Sequence, residues 1–133
     1  MKTLESHIHE ALKIGKNLSK FSTYSYQPSS KEELKQIIEA RIAEEGPNCD
    51  LNDIDVSQIT DMSYLFDDSN FNGDISRWDV SNVKYMTWMF ANSKFNGDIS
   101  EWDVSNVEDM NGMFAGSEFK QDISNWKTSC DWS

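Results

Sequence analysis

Cysteine, proline and histidine are scarce in this chain, two of each in 133 residues, and its 12 basic side chains face 23 acidic ones. Each shortage excludes something. Cys49 and Cys130 form no CxxC pair, so a zinc site is not indicated. His7 and His9, two apart on a predicted helix, cannot share a face and read as solvated side chains rather than a ligand pair. No apolar run approaches the ~20 residues of a membrane span. The opening stretch, Met1 to His7, leads into no apolar h-region, so no signal peptide is visible and a cytoplasmic location is expected. There is no Walker loop, dinucleotide fingerprint, nucleophile elbow or HExxH, so no catalytic residue is assigned and an enzyme is not expected.

The net charge of −11 is unevenly placed. Residues 1–46 carry seven basic and seven acidic side chains, whereas residues 47–133 carry five and sixteen, so all of the excess belongs to the second part. An acidic surface of this kind repels phosphate backbones and anionic membranes, and suits a basic protein partner or cations.

What the sequence has in abundance is self-similarity. Phe71-Asn72-Gly73-Asp74-Ile75-Ser76 recurs 24 residues on as Phe95-Asn96-Gly97-Asp98-Ile99-Ser100, and again, degenerate, as Phe119-Lys120-Gln121-Asp122-Ile123-Ser124. Units 47–70, 71–94, 95–118 and a partial 119–133 follow, behind a front segment 1–46. Apolar residues fall in register: Phe71/Phe95/Phe119, Ile54/Trp78/Trp102/Trp126, Val56/Val80/Val104, Met62/Met86/Met110 and Phe66/Phe90/Phe114 among them. One unit cannot bury these side chains against itself, but stacked units can. Trp78-Asp79-Val80 alternates as a short strand does, and Met86, Met89 and Phe90 have helical spacing. The spacing therefore predicts an α/β architecture, a leucine-rich-repeat-like solenoid of about 3.5 coils with a 24-residue period.

The runs 71–90 and 95–114, Phe-Asn-Gly-Asp-Ile-Ser-x-Trp-Asp-Val-Ser-Asn-Val-x-x-Met-x-x-Met-Phe, resemble the BspA-like leucine-rich repeat and are similar to the lipoprotein repeat of unknown function abundant in mycoplasmas. The resemblance covers about two thirds of the chain. It implies a solenoid used for protein or cell-surface recognition without enzymatic activity, in a surface or virion setting as well as inside a cell.

In the front segment, Leu4, Ile8, Ala11 and Leu12 lie on one predicted helical face, and a second helix is predicted from about Ser30, which has capping-box spacing to Glu33. Phe21, Tyr24 and Tyr26 connect the two, and Gly46-Pro47 closes the second. The segment reads either as a cap over the first unit's edge or as a separate docking element.

Three features are candidates for partner binding. Asp55, Asp79 and Asp103 share one slot and should point outward, as should the column Asp50, Asp74, Asp98 and Asp122. Like charges ~4.8 Å apart cost ~1 kcal/mol per pair even in water. A cation or basic partner would offset this, and so would Asx turns, with each carboxylate accepting nearby backbone N–H groups. Asn-Gly-Asp lacks complete calcium-loop spacing, so no cofactor is assigned and calcium stays only an alternative. Asp53, Arg77, Glu101 and Asn125 form an outward column that varies between units, open to recognition or to drift. Tyr64 and Trp88 share a slot with Gly112, and their rings should face outward, as interface anchors or packed over neighbouring turns.

The last unit has no recognisable cap after Trp126 and Trp132, which suggests self-association there. Cys49 and Cys130 belong to the first and last units, ~14 Å apart along such a stack, beyond the ~7 Å a bridge allows, so free thiols are expected. The function expected from the sequence is a protein–protein recognition module with an acidic surface. A nucleic-acid-mimicking inhibitor of a basic protein and a cell-surface adhesin fragment are the alternatives.

Overall fold

The computed structural model describes residues 24–128 and residue 130. The predicted first helix with Leu4, Ile8, Ala11 and Leu12, both histidines, Phe21 and Trp132 lie outside them. Helix α1 runs from Lys31 to Glu45. Its start follows from Ser30, whose extended backbone lets Oγ accept the Glu33 amide at 3.2 Å, and Glu32 and Glu33 complement the positive end of the helix. It stops at Gly46, where φ reaches +94° and the amide donates to the Ile42 carbonyl oxygen at 2.8 Å. Leu34, Ile37, Ile38 and Ala40 join the same buried cluster as Leu51, Ile54 and Phe66 of the first 24-residue unit. Before the helix, Tyr26 makes a single parallel bridge to Ile54.

The remaining chain is a pile of 24-residue rungs, each lying on the next in parallel register. Asp50 bridges Asp74, and Asp61, Tyr85 and Asp109 form a continuous ladder. Between rungs the aromatic columns stack: Phe66 on Phe90 and Phe90 on Phe114 at 5.4 and 5.7 Å, their planes nearly parallel, and Trp78 on Trp102 on Trp126 at 6.4 Å per step. The indoles are buried, so their N–H groups need acceptors. Trp78, Trp102 and Trp126 find them in the carbonyl oxygens of Leu51, Ile75 and Ile99, each 27 residues back on the preceding rung, at 2.8, 3.0 and 2.9 Å. Each tryptophan is thus both a stacked ring and a peg joining two rungs.

The α/β leucine-rich-repeat-like solenoid is nevertheless overturned. Among the described residues α1 is the only helix, no strand extends beyond an isolated bridge, and there is no sheet for helices to pack on. Tight turns take the place of both elements. Where a helix was expected near Met86, Trp88 sits at φ +56° and Asn92 at φ +55°, which no right-handed helix tolerates. The Met89, Ala91 and Ser93 amides close three-residue-back turns on Met86, Trp88 and Phe90, while the intervening Trp88, Phe90 and Asn92 amides leave the rung altogether. Where a strand was expected, Trp78 and Val80 are buried and Asp79 is exposed, as the alternation required. The backbone there forms turns, with the Trp78 amide on Ile75 and the Val83 amide on Val80.

Arg41 ties α1 to the stack. Its guanidinium, 8% exposed with the residue as a whole, donates twice to the Asp53 carboxylate at 2.9 Å, to the Asp50 carbonyl oxygen at 3.0 Å and to Glu45. Burial works against this charge, but the two carboxylates outweigh it and raise its pKa. Tyr26 lies beneath, its ring centroid 5.9 Å from the guanidinium carbon. Among the described residues no helix is long and apolar enough to cross a membrane.

Removing one member of a buried pair strands the other. Arg41→Ala is expected to lower stability by about 2–3 kcal/mol in urea titrations, below the usual figure for a sealed pair because Asp53 keeps some solvent. Lys94→Ala removes a solvent-exposed partner of Glu118 and should change stability by less than about 0.5 kcal/mol.

Candidate functional site

The aspartate columns owe their order to local turn chemistry. Asp79 and Asp103 each accept the amide two residues on at 3.1 Å and its serine hydroxyl at 2.6 Å, from Ser81 and Ser105. Asp55 accepts the Ser57 amide at 3.0 Å, and its second oxygen takes the Gln27 side chain at 3.3 Å. In the other column, Asp74 and Asp98 do the same with Ser76 and Ser100, Asp122 accepts the Ser124 amide, and Asp50 accepts the Asn52 amide and side chain. These contacts favour the charged form. The Ser100 hydroxyl and amide hold the Asp98 carboxyl below its ordinary range, Ser105 does so for Asp103, the Ser124 amide and hydroxyl for Asp122, and Ser76 with Asn52 for Asp74. Asparagine side chains lock the rungs alongside: Asn82 donates to the Ser57 carbonyl oxygen and Asn106 to that of Ser81, at 2.8 and 2.7 Å. The result is a fixed row of carboxylates, each with one oxygen engaged in its own turn. Among the described residues no three His, Cys, Asp or Glu side chains come together as a metal-binding group.

The aromatic slot is built differently. Tyr64, Trp88 and Gly112 each occupy the third position of a tight turn and all are left-handed, at φ +63°, +56° and +63°. Glycine is free to adopt that backbone, whereas a side chain there costs roughly 1–2 kcal/mol. Tyr64 and Trp88 accept that cost while staying 49% and 40% exposed. The rings face outward, as expected, but because of a left-handed turn and not a helix face. Trp88 leans along the stack over Gly112: a Cβ added to the glycine would lie 2.8 Å from the indole. Tyr85, 44% exposed, is a third outward aromatic, bridged between Asp61 and Asp109. It was not singled out from the sequence. The available sign was its column, Asp61/Tyr85/Asp109, where an aromatic replaces two charged residues and so cannot be a core position.

The variable column is divided. Asp53 is not free for recognition, since Arg41 holds both its oxygens. Arg77 is exposed on a polar cleft of about 470 Å³ between the end of α1 and the first rungs, shared with Tyr24, Asp50 and Asn52. Its amide donates to the Asn52 side chain at 2.8 Å. Glu101 and Asn125 are exposed two and three rungs from Asp53. The two cysteines are unbridged; burial pushes the Cys49 thiol up, and the Cys130 thiol donates to the Val107 carbonyl oxygen at 3.0 Å.

A carboxyl whose pKa is lower folded than unfolded adds stability above the unfolded value and loses it as pH falls through the folded one. The shifts at Asp74, Asp98, Asp103 and Asp122 are all downward, so the melting temperature is expected to drop on acidification below about pH 4. The pair Ser100→Ala and Ser105→Ala should flatten that drop in melts run across the acid range. Millimolar calcium is expected to leave the melting temperature at neutral pH unchanged, because the carboxylates are spent one per turn and no cluster of three is formed.

No curated protein and no solved structure matches the chain. One family model does, across residues 32–131, from the second residue of α1 to the last rung and so over well more than half of the sequence. The chain accordingly belongs to the family described as Mycoplasma protein of unknown function, DUF285.

Proposed function

We propose that this protein is a non-enzymatic recognition module that binds a basic surface of a protein partner through Tyr64, Tyr85 and Trp88 together with the carboxylates of its rungs. The observation that carries this reading is the pair of exposed aromatics on left-handed backbone. A position that the third rung fills with Gly112 at no backbone cost is filled in the other two by bulky aromatic side chains, which strain it. Exposed Tyr and Trp on a rigid backbone are efficient anchors, since they offer a large contact area with little entropy left to lose. Tyr85, with a carboxylate before and after it in the ladder, offers a Lys or Arg side chain both a ring face and a counter-charge. The likeness of 71–90 and 95–114 to the BspA-like repeat supports recognition as the general role and would place the partner at a cell surface if the protein is exported.

The columns of charged, turn-held carboxylates favour a second reading, a mimic of nucleic acid that occupies the groove of a basic protein. Salt separates the two. A mimic loses affinity by orders of magnitude between about 50 and about 200 mM salt, whereas an aromatic-anchored contact keeps most of it.

Glycine at the aromatic slot relieves the backbone while removing the ring. Tyr64→Gly and Trp88→Gly are therefore expected to fold with stability within about 1 kcal/mol of the parent, the backbone relief offsetting the lost ring contact. Together they should abolish capture of the partner from lysate of the native cell. Retained capture by the double variant, with its fold intact by circular dichroism, would remove the aromatic slot from the interface.

A further inference from the structure

Through the turn-forming stretch the rungs are joined by a one-way pattern of hydrogen bonds, whereas elsewhere they exchange bonds in both directions, as in Lys84 to Thr60 and Lys94 to Ser69. In the first rung the Met62, Tyr64, Phe66 and Asp68 amides donate to the carbonyl oxygens of Tyr85, Thr87, Met89 and Ala91, at 2.8–3.0 Å. In the second, Met86, Trp88, Phe90 and Asn92 donate to Asp109, Asn111, Met113 and Ala115 at 2.8–2.9 Å. Along this stretch every donor points toward the C-terminal end of the stack and every acceptor toward the N-terminal end. An ordinary β-ladder alternates donors and acceptors at each edge. Here a chain of tight turns, with left-handed residues four apart at 64 and 68 and again at 88 and 92, turns the carbonyls of this stretch to one side and the amides to the other, so the two edges are chemically opposite.

The third rung repeats the same turns, with the Met113, Ala115 and Ser117 amides closing on Met110, Gly112 and Phe114. By the same register its Gly112, Phe114 and Gly116 amides face the C-terminal end. Among the described residues none of the three donates a hydrogen bond. Among the described residues the fourth unit covers only part of this rung: the Lys120 amide and the Gln121 side chain bond back to Asn96, and the Trp126 indole to Ile99. The step left beside it is a cleft of about 760 Å³ lined by Trp88, Gly112, Phe114, Phe119, Gln121 and Ile123 among others. Phe114 and Phe119, stacked at 4.4 Å and only half-buried, form its apolar floor.

We propose that this step is a docking site for a repeat rung carried by another protein, one whose carbonyl edge is uncapped. This surface adjoins the aromatic face of the proposed function at Trp88, which lines both, but its row of amides does not depend on that reading. The occupant must present carbonyl oxygens on alternate residues and an apolar side chain to lie on Phe114 as Phe114 lies on Phe90. A Met-x-x-Met-Phe turn segment of the same repeat has both. An occupant without the carbonyl row would seal unpaired amides away from water, which makes the edge selective. A second copy of this chain fits poorly in either orientation. Two C-terminal edges would set donors against donors. The one complementary edge among the described residues, with the Asp61, Ser63, Leu65 and Asp67 carbonyls, runs alongside α1, where Lys31 pairs with Asp61 and where Lys35, Ile38, Glu39 and Ile42 face Leu65 to Asn70 across a cleft.

The test is amide hydrogen exchange on the full chain, with and without a synthetic peptide of its own unit Phe95–Glu118 as the probe. In the protein alone, the Gly112, Phe114 and Gly116 amides are expected to exchange fast while Trp88, Phe90 and Asn92 are protected. Saturating peptide should slow the three fast amides by about tenfold or more and leave the others unchanged. A peptide with Phe114→Asp should have no effect. The proposal falls if the three amides are already protected in dilute protein, if their protection grows with protein concentration alone, since a second copy is then the occupant, or if the peptide at saturation leaves their exchange unchanged.

Discussion

The structure depends on how its backbone amides are divided. In the turn-forming half of each rung, every second amide closes a tight turn inside the rung and the intervening ones cross to the next. A helix would keep all of its amides within itself and leave none for neighbours. A strand would send its amides alternately to both sides. The left-handed residues at 64, 68, 88, 92, 112 and 116 make the intermediate arrangement geometrically available. Once it is adopted, a rung has little stability alone, because half of the donors in that stretch are satisfied only by the unit after it. The aromatic columns then follow from the hydrogen-bond register, since a fixed 24-residue step brings like onto like.

This division explains which features were legible in the sequence. The period, the ring columns and the capped start of α1 are written in single residue types at fixed spacing, and they are found as read: Phe66, Phe90 and Phe114 stack, and Ser30 caps Glu33. The local conformation was misread because periodicity reports which side chains turn inward, not how the backbone does it. Met86, Met89 and Phe90 are buried as a helix would bury them, yet a chain of turns buries the same positions. The column Asp68/Asn92/Gly116 carried the missing sign, since all three residue types tolerate left-handed backbone. The Tyr64/Trp88/Gly112 column hid it behind two bulky rings. Of the candidate site, the outward aspartates and rings could be placed from slot positions alone. Arg41 taking Asp53 out of the variable column could not be foreseen, because that contact joins two segments with no shared period.

The buried arginine also shows how a repeating body accepts a non-repeating neighbour. Rungs satisfy one another by translation, but the N-terminal end of a stack has nothing to translate from. The chain meets that end with Tyr26 bridging Ile54, Lys31 on Asp61 and Arg41 on Asp53 and the Asp50 carbonyl. Charged side chains suit such a junction, because their long arms reach backbone and carboxylate acceptors that no rung would otherwise fill. The cost is the desolvation of Arg41, and the carboxylates of Glu45 and Asp53 more than offset it.

Translation has a consequence for function as well. A catalytic site needs unlike groups converging on one point, and a 24-residue translation instead sets like groups in rows. The aspartates show this: each is consumed by its own serine or asparagine turn, so the columns give a charged, stiff surface and no asymmetric pair. Information can enter such a body only where the symmetry is broken. It is broken at Tyr64, Trp88 and Gly112, at Asp61, Tyr85 and Asp109, and at Arg77 and Glu101, and those positions are exposed or partly so. The proposed recognition would then rest on the departures from the repeat, carried on a frame that the repeat itself supplies.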